Sequence, residues 1–169
     1  MSPPIFEPLG PQHDRAAFSC GDEALDRYLR QQATQDTRNW VAAPFVLRDP
    51  ESPRIIGYYT LSTFSIELRD LPTELARRLP RYPRLPAVLI GRLAVDREFN
   101  GKVWGGVLLL DALRRSLEQT RQIAAMAVVV EAKNDRARAF YEKYGFVQFS
   151  GHEYRLFLPM GTVEQLLSA

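Results

Sequence analysis

Residues 87–106 read A-V-L-I-G-R-L-A-V-D-R-E-F-N-G-K-V-W-G-G and join an apolar run to a glycine-rich turn. The apolar run has the composition of a central strand, and Gly91 and Arg92 interrupt it, which indicates a bulge or a splayed strand. The turn, N-G-K-V-W-G-G at 100–106, leads into a predicted helix. A strand that enters such a turn at a helix N-terminus presents unpaired backbone N–H groups, which suit a pyrophosphate. A plain strand–turn–helix connection would explain the turn equally well.

The elements around this unit predict a mixed sheet. Asp22 caps an amphipathic helix, the segments 44–48 and 55–68 form a hairpin, and Gly145 ends the last predicted helix. The other predicted elements are a short helix at 73–79, a proline-rich connector at 80–86, a helix with Val107, Leu110, Leu113 and Leu117 in register, and strands at 124–132, 146–150 and 154–159. A hairpin followed by β-α-β-α-β is typical of an α/β (α+β layered) fold in which helices flank one mixed sheet. We expect residues 1–169 to form a single domain.

The composition argues against several classes of protein. Cys20 is the only cysteine, so an internal disulfide is impossible, and the start M-S-P-P-I-F-E-P is neither basic nor a long apolar run. We therefore expect no signal peptide, no membrane span and a cytoplasmic location. No cluster of His, Asp or Glu is evident, so we expect neither a metal site nor a strong general base. His13 and His152 are isolated, which favours structural or solvent-exposed positions.

Arginine dominates the basic residues, because all but three of the 22 Lys and Arg side chains are arginine. The planar guanidinium matches phosphates and carboxylates, whereas the lysine ammonium is a point charge. One group comprises Arg77, Arg78, Arg81, Arg84 and Arg92, and a second comprises Arg114, Arg115 and Arg121. These arginines either belong to solvated surfaces or bind a polyanionic partner, in which case binding would weaken with salt.

The segment A-R-A-F-Y-E-K-Y-G-F at 137–146 predicts a helix with an aromatic stripe. Phe140 and Tyr144 lie on one face, and Tyr141 precedes the glycine that stops the helix. Taken alone, such a stripe is more often part of a core than of a catalytic site.

Together these features resemble the GNAT-type N-acetyltransferases over nearly the whole chain. The family's loop motif, Arg/Gln-x-x-Gly-x-Gly/Ala, falls on residues 100–105, and its A-x-x-F-Y-x-x-x-G-F motif falls on 137–146. Other stretches are similar to the GNAT toxins of bacterial toxin–antitoxin pairs. They are F-x-C-G-x-x-x-L-D-x-Y-L at 18–29, G-Y-Y-T-L-S at 57–62, R-Y-P-x-L-P at 81–86 and G-R-L-A-V-D at 91–96.

The resemblance implies the GNAT fold, with a splayed central strand, and acetyl-CoA as co-substrate. Backbone groups of Leu93, Ala94 and Val95 would hold the pantetheine arm and polarise the thioester carbonyl, which stabilises a developing oxyanion. The loop residues that would bind the cofactor are Asn100, Gly101, Lys102, Val103, Trp104, Gly105 and Gly106. Asn134 either binds the cofactor or caps the last predicted helix, and capping is the commoner role of such a residue.

The resemblance also assigns the catalytic group. Tyr141 would be the general acid that protonates the departing CoA thiolate, because a phenol of pKa about 10 can serve a thiolate of pKa about 8.5. The acceptor amine attacks directly, so Cys20 is not needed as a nucleophile, and we expect it to be a small buried residue.

GNAT toxins of this type acetylate the amino acid on charged tRNA and so block translation. An α-amine has a pKa near 8, against about 10.4 for lysine, so a useful fraction is neutral at pH 7 without a strong base. The arginine groups, with Arg77, Arg78, Arg81, Arg84 and Arg92 foremost, would then contact the tRNA backbone. The resemblance further implies a homodimer and a ribbon-helix-helix antitoxin that brings DNA as a partner.

Val103 departs from the loop motif, which has glycine at this position, and Asn100 replaces the usual Gln or Arg. Glycine allows a positive φ or a close approach of pyrophosphate to the backbone, and valine hinders both. We therefore predict weakened acetyl-CoA binding.

Three functions remain open at this stage. The first is a toxin that acetylates aminoacyl-tRNA, and the second is an acetyltransferase for a small-molecule or protein amine. The third is a catalytically silent domain that binds an antitoxin and, through it, DNA. The first predicts a basic groove beside Tyr141, the second an enclosed or acidic pocket, and the third a site covered by a partner.

Overall fold

The computed structural model describes residues 2–99, 101 and 103–169. The strands are β1 (Ile5–Pro8), β2 (Ala43–Arg48), β3 (Ile55–Glu67), β4 (Arg84–Val95), β5 (Ala127–Glu131), β6 (Val147–Gln148) and β7 (Arg155–Pro159). The α-helices are α1 (Glu23–Arg27), α2 (Ala33–Arg38), α3 (Thr73–Ala76), α4 (Trp104–Gln119), α5 (Asp135–Lys143) and α6 (Met160–Ser168). A π-helical segment, Tyr28–Gln32, joins α1 to α2.

The strands form one mixed sheet in the order β1-β2-β3-β4-β5-β7-β6. Strands β1 to β3 pair antiparallel in sequence, β4 pairs parallel with β5, and β7 is antiparallel to both β5 and β6. The parallel register runs from Val88–Val128 to Ile90–Val130, so it ends directly before Gly91, where the sequence predicts an interruption. The mixed α/β sheet is confirmed.

The chain divides into two compact units, of which the first comprises 1–62 with 91–112. Its core lies where the α1–α2 segment packs on strand residues, and it contains Phe18, Tyr28, Leu29, Ala33, Val46, Ile55, Tyr58 and Ala94. The Asp22 side chain accepts hydrogen bonds from the amides of Ala24 and Leu25, which confirms the predicted cap of α1.

The second unit comprises 63–90 with 113–169. Its core is built from alternate strand residues and two aromatic rings of the C-terminal half, and it contains Ile66, Leu71, Leu85, Ala87, Ala127, Val129, Phe149 and Phe157. Gly145 has a φ of 100° directly after α5, so the predicted glycine stop of this helix is confirmed.

Several predicted boundaries were wrong. Strand β4 begins at Arg84, inside the predicted connector, because the Pro86 carbonyl still accepts a hydrogen bond from the Met126 amide although proline lacks its own donor. Helix α3 ends at Ala76 rather than at residue 79, since the amides of Arg78 and Leu79 bond three residues back in a tightened turn.

The sequence also predicted the wrong apolar face for α4, because the buried face is rotated by about one residue from the predicted one. Leu108, Leu109, Ala112 and Leu113 are its buried apolar residues, whereas Val107, Leu110 and Leu117 are only half-buried. Strand β1 and helix α6 were not predicted. Both elements are short and are stabilised by tertiary contacts. Strand β1 pairs with β2, and α6 buries Met160 and Val163.

Gly57 on β3 is a position where the fold has no room for a side chain. A Cβ atom there would lie 2.6 Å from Leu108 Cδ1 and 2.8 Å from the Ala94 carbonyl oxygen. We expect Gly57→Ala to lower the free energy of unfolding by about 2 kcal/mol, because overpacking against backbone cannot be relieved by a rotamer change. Chemical denaturation measures the change.

The control for this prediction is Gly161→Ala in α6, where a Cβ atom would meet nothing within 4 Å. This variant should be as stable as the parent or slightly more stable, since alanine favours helix. Equal stability of the two alanine variants would contradict the close approach at Gly57.

Candidate functional site

A buried carboxylate fixes the chain where it leaves β4. Asp96 is 2% exposed and accepts hydrogen bonds from the Ser19 amide at 3.0 Å and from the Glu98 amide at 2.9 Å. The Arg54 guanidinium lies 3.5 Å from the same carboxylate, pairs with Glu98, and covers the Phe99 ring. Sequence reasoning missed this clamp, although an aspartate directly after a buried strand is a recognisable signal. The clamp fixes the segment 96–99, which precedes the glycine-rich turn in the sequence.

Helix α4 starts at this turn, and Val103 occupies its N-cap position. The Val103 carbonyl accepts the first intrahelical bond, from the Val107 amide at 3.0 Å, and its side chain is 64% exposed. The amides of Trp104, Gly105 and Gly106 therefore have no intrahelical acceptor, and valine has no side-chain oxygen to cap them. A Cβ atom at Gly101 would meet nothing within 4 Å, so the turn is open on that side. Amides that lack an intrahelical acceptor, beside open space, fit a bound phosphate.

Two residues assigned to this loop, Asn100 and Lys102, lie outside the described residues. Leu93, Ala94 and Val95 form the end of β4, where the Ala94 side chain is buried and its two neighbours are half-buried. Their proposed bonds to pantetheine stay a prediction.

Arg92 begins a chain of polar contacts within the first unit. Its guanidinium carbon lies 3.5 Å from the centre of the Tyr28 ring, and the Tyr28 hydroxyl donates to Asp36 Oδ2 at 2.8 Å. Hydrogen bonds from Gln32 and Tyr28 hold the pKa of Asp36 below its usual value, so this carboxylate stays charged and is a poor base. Burial raises the pKa of Tyr28, which keeps the phenol protonated as a donor. This arrangement fixes Arg92 rather than leaving it as a flexible surface charge.

In the second unit, helix α5 presents Tyr141. The helix starts at Asn134, whose side chain accepts from the Ala137 amide at 2.9 Å, so the capping role of Asn134 is confirmed. The Tyr141 ring packs edge-on against Phe140 and Phe146, with centroids 5.1 Å and 5.5 Å away. The aromatic stripe therefore forms a packed cluster, and the catalytic role of Tyr141 stays a prediction.

The environment of Tyr141 suits a proton donor. The residue is 8% exposed, and burial raises the pKa of its phenol, so it stays protonated at neutral pH. Within the described part of the chain, no other group hydrogen-bonds the hydroxyl. The proton therefore remains available for an incoming anion such as a thiolate.

Four exposed arginines line one cavity of about 710 Å³ in the second unit. Arg77, Arg81 and Arg84 come from the predicted group, and Arg69 joins them without having been singled out in the sequence. Leu68, Leu71 and Ala76 supply apolar wall, and Glu67 lies 3.4 Å from Arg84. Arg78 is exposed but does not line the cavity, and Arg92 is held on Tyr28 instead. The structure thus brings together three of the five arginines assigned to polyanion binding.

The isolated histidines and the cysteine have structural surroundings. His13 is buried, accepts the Gly10 amide on Nδ1 and lies 2.8 Å from Glu7 through Nε2, while His152 lies 3.5 Å from Asp70. Cys20 is half-buried rather than buried, because its thiol faces the Asp22 carbonyl at 3.6 Å at the edge of the first core. Among residues 2–99, 101 and 103–169, no helix is long and apolar enough to cross a membrane.

The chain is similar to proteins of one known family. The model of the acetyltransferase (GNAT) family matches residues 12–146. A probable toxin TacT from Sinorhizobium fredii is 32% identical and covers 96% of this chain and 94% of its own. A tRNA-acetylating toxin from Mycobacterium tuberculosis is 37% identical over 79% of this chain and 78% of its own.

Solved structures agree with this grouping. A tyrosine-to-phenylalanine mutant of KacT superposes with a TM-score of 0.91 at 30% identity, covering 98% of this chain and 99% of its own. AtaT complexed with acetyl-methionyl-tRNAfMet has a TM-score of 0.88 at 31% identity, with 97% and 99% covered. An AtaT mutant toxin bound to the C-terminus of the antitoxin AtaR and acetyl-CoA has a TM-score of 0.82 at 27% identity, with 99% and 100% covered.

The family uses acetyl-CoA as its acetyl donor. The matched range includes the predicted loop motif at the start of α4 and Tyr141, whose buried hydroxyl has no hydrogen-bond partner among the described residues. The chain belongs to the GNAT family of acetyltransferases and is an acetyl-CoA-dependent N-acetyltransferase.

Proposed function

We propose that this chain is the toxin of a toxin–antitoxin pair and transfers acetyl from acetyl-CoA to the α-amine of aminoacyl-tRNA, which blocks translation. The observation that carries this proposal is the similarity of nearly the whole chain to tRNA-acetylating toxins, one of which has been solved with acetyl-methionyl-tRNA. We further propose that residues 1–169 act as one acetyltransferase domain, since the matched family model draws on both compact units.

The proposed chemistry assigns a task to each region. The amides of Trp104, Gly105 and Gly106 bind the pyrophosphate at the N-terminus of α4, where their positive dipole end favours an anion. The backbone of Leu93, Ala94 and Val95 binds the pantetheine arm. Acetyl-CoA supplies the activated acetyl group when bound.

Tyr141 donates its proton to the sulfur as the carbon–sulfur bond breaks. The α-amine of the acceptor forms the new bond to the acetyl carbon and loses a proton to solvent. With a pKa near 8, that amine needs little help from a base.

The arginine-lined cavity supports a polyanionic acceptor over a small amine. Arg77 lies 3.7 Å from Glu74 and Arg84 lies 3.4 Å from Glu67, whereas Arg69 and Arg81 form no ion pair among the described residues. The cavity therefore keeps a positive charge that attracts an acceptor carrying many phosphates and does not attract a small cationic amine. Phosphates of an RNA backbone match guanidinium groups in charge and in bidentate geometry.

Removing cavity charges should weaken tRNA binding in a salt-dependent way. We expect the double variant Arg77→Gln with Arg81→Gln to bind tRNA about 10-fold more weakly at low salt, because each phosphate contact contributes to counterion release. The slope of log affinity against log salt should become shallower by about 1 for each arginine removed. Filter binding over a salt series measures both quantities.

Arg27 and Arg136 provide the matched control, because both are exposed, neither lines the cavity, and neither belongs to the arginines assigned to tRNA. The double variant Arg27→Gln with Arg136→Gln removes the same net charge and should keep most of the parent's affinity and slope. Equal effects of the two doubles would show that only net charge matters and would count against the cavity as a tRNA contact.

The partners of the toxin follow from the same proposal. We infer a homodimer that is inhibited by a ribbon-helix-helix antitoxin and reaches DNA through it, and that acts in the cytoplasm, where charged tRNA is found. Related toxins solved with an antitoxin segment and with DNA support the antitoxin and DNA as partners.

Acetyl transfer from labelled acetyl-CoA to a pool of charged tRNAs tests the proposed function directly. Label should enter the aminoacyl group and should be lost when the ester bond to tRNA is hydrolysed. Labelling of free amines or proteins instead of charged tRNA would favour the other acetyltransferase function.

A further inference from the structure

Trp40 stands out because it combines a strained backbone with almost complete exposure. Its φ is 60°, in the left-handed region, and its side chain is 93% exposed. A bulky residue in this region is an outlier, since its Cβ atom crowds the following carbonyl oxygen.

The backbone around Trp40 explains why the left-handed conformation is required. The Trp40 amide bonds the Thr37 carbonyl at 3.2 Å, and the Val41 amide bonds the Asp36 carbonyl at 2.9 Å. These two bonds form a Schellman motif that ends α2, with Trp40 at the position that glycine usually occupies. Glycine would form the motif without strain, so the local backbone structure does not explain why a tryptophan occupies this position.

The ring also contributes little to the core, because it buries almost none of its surface. Trp40 lies on a strained turn, and the following residue, Val41, is 60% exposed. Exposed apolar side chains of this kind, tryptophan above all, are typical of surfaces that bind a partner.

The charges beside Trp40 favour nucleic acid as that partner. Arg38 is exposed in the last turn of α2, and among the described residues it forms no ion pair. The nearest carboxylate along the helix, Asp36, is occupied, since Oδ1 accepts from Gln32 at 2.9 Å and Oδ2 accepts from Tyr28 at 2.8 Å. An aromatic platform beside an arginine is the arrangement on which single-stranded bases stack.

The position of Trp40 within the first unit indicates which bases these are. The Asp36 carbonyl bonds the residue after Trp40, the Asp36 carboxylate bonds Tyr28, and the Tyr28 ring carries Arg92 at 3.5 Å. Arg92 directly precedes Leu93, the first of the β4 residues assigned to the pantetheine arm. Three contacts therefore link Trp40 to the strand beside the proposed reacting group, and the unpaired RNA nearest to that group is the 3′ end of tRNA, which carries the amino acid.

We propose that Trp40 is a stacking platform for an unpaired base near the 3′ end of the tRNA substrate. This inference rests on the proposed tRNA substrate but concerns binding, so it can be tested apart from acetyl transfer.

The experiment compares Trp40→Gly and Trp40→Phe with the parent in binding uncharged tRNA and the same tRNA trimmed of its unpaired 3′ nucleotides. Trp40→Gly should bind intact tRNA about 10-fold more weakly, whereas Trp40→Phe should stay close to the parent because it keeps a stacking ring. Neither change should alter binding of trimmed tRNA. Intact tRNA should also quench the tryptophan emission of the parent, whereas Trp40→Phe, in which only Trp104 emits, should lose this quenching.

Misfolding cannot produce this result, because Trp40→Gly relieves the strained φ and should raise Tm by about 2–4 °C. Unchanged affinity of Trp40→Gly for intact tRNA, or an equal loss for trimmed tRNA, would overturn the proposal. A changed sedimentation profile of Trp40→Gly with unchanged tRNA affinity would assign the ring to a second copy of the chain and would also overturn it. The two proposals can fail separately. If the parent binds intact tRNA about 10-fold more tightly than Trp40→Gly does but does not acetylate charged tRNA, the proposed function fails and the stacking platform stands.

Discussion

Replacing Tyr141 by phenylalanine is expected to lower kcat for acetyl transfer to charged tRNA by about 100-fold or more. The phenol is the group proposed to protonate the leaving thiolate, and loss of a positioned general acid costs roughly 10²–10⁴-fold in rate. The ring packs against Phe140 and Phe146 through its edges and face, so phenylalanine keeps these contacts. Steady-state transfer of labelled acetyl to charged tRNA measures kcat, and calorimetry should show acetyl-CoA affinity within about twofold of the parent.

The pH dependence adds a second readout to the same prediction. Because burial raises the pKa of Tyr141, its proton stays in place up to and beyond the ordinary phenol value of about 10. The rate of the parent should therefore rise as pH passes the acceptor pKa near 8, without a falling limb from Tyr141 below pH 10. The phenylalanine variant should keep this rise at a much lower rate, since the acceptor amine is unchanged.

Tyr144 is the matched control for this substitution. It lies at the C-cap of the same helix and packs against Phe140 with a centroid distance of 5.4 Å, but it has no proposed chemical role. Tyr144→Phe should retain nearly full kcat. If Tyr141→Phe keeps half or more of the parent's kcat, another group protonates the thiolate and the assignment of Tyr141 is wrong.

The elements that the sequence predicted well are those with local causes. Asp22 and Asn134 cap their helices through side-chain oxygens, and Gly145 adopts a positive φ where α5 ends. Each of these outcomes depends on one residue type at one position, which a sequence shows directly.

The elements that the sequence missed depend on distant partners. Strand β1 exists through pairing with β2, and the Asp96 clamp requires the Ser19 amide from 77 positions away in the chain. No local pattern records such a pairing. Trp40 was missed for a different reason, because neither the residue nor its neighbours carry a glycine that would mark a left-handed turn.

The candidate site also combines features that local sequence predicts with features that depend on tertiary contacts. The order of the motifs predicts the cofactor loop and the role of Tyr141, whereas the cavity that gathers Arg69 with Arg77, Arg81 and Arg84 follows from tertiary placement. A run of arginines in the sequence could not show that Arg92 would instead be fixed on Tyr28.

Val103 is the residue at which this chain departs from the glycine of the family's loop motif, and we expect this departure to weaken acetyl-CoA binding. The sequence alone left two objections to valine, a forbidden positive φ and a loss of space. At an N-cap the backbone is usually extended, which a β-branched residue adopts readily, so the structure weakens the first objection. The remaining objection is volume, because a 64% exposed isopropyl group stands beside the amides that would bind the pyrophosphate.

Val103→Gly is accordingly expected to tighten acetyl-CoA binding about 10-fold. This factor corresponds to one charge-assisted hydrogen bond, roughly 1.5 kcal/mol, regained between a phosphate oxygen and an amide of the first turn. Calorimetry with acetyl-CoA measures the change, and Val103→Ala separates its causes, because alanine removes the branching methyl groups but keeps the backbone restriction. Recovery by both variants would assign the defect to volume, and recovery by glycine alone would assign it to backbone freedom. Equal affinity of the parent and both variants would show that valine is tolerated at this N-cap, in which case the parent should already acetylate charged tRNA at the rate of its glycine variant.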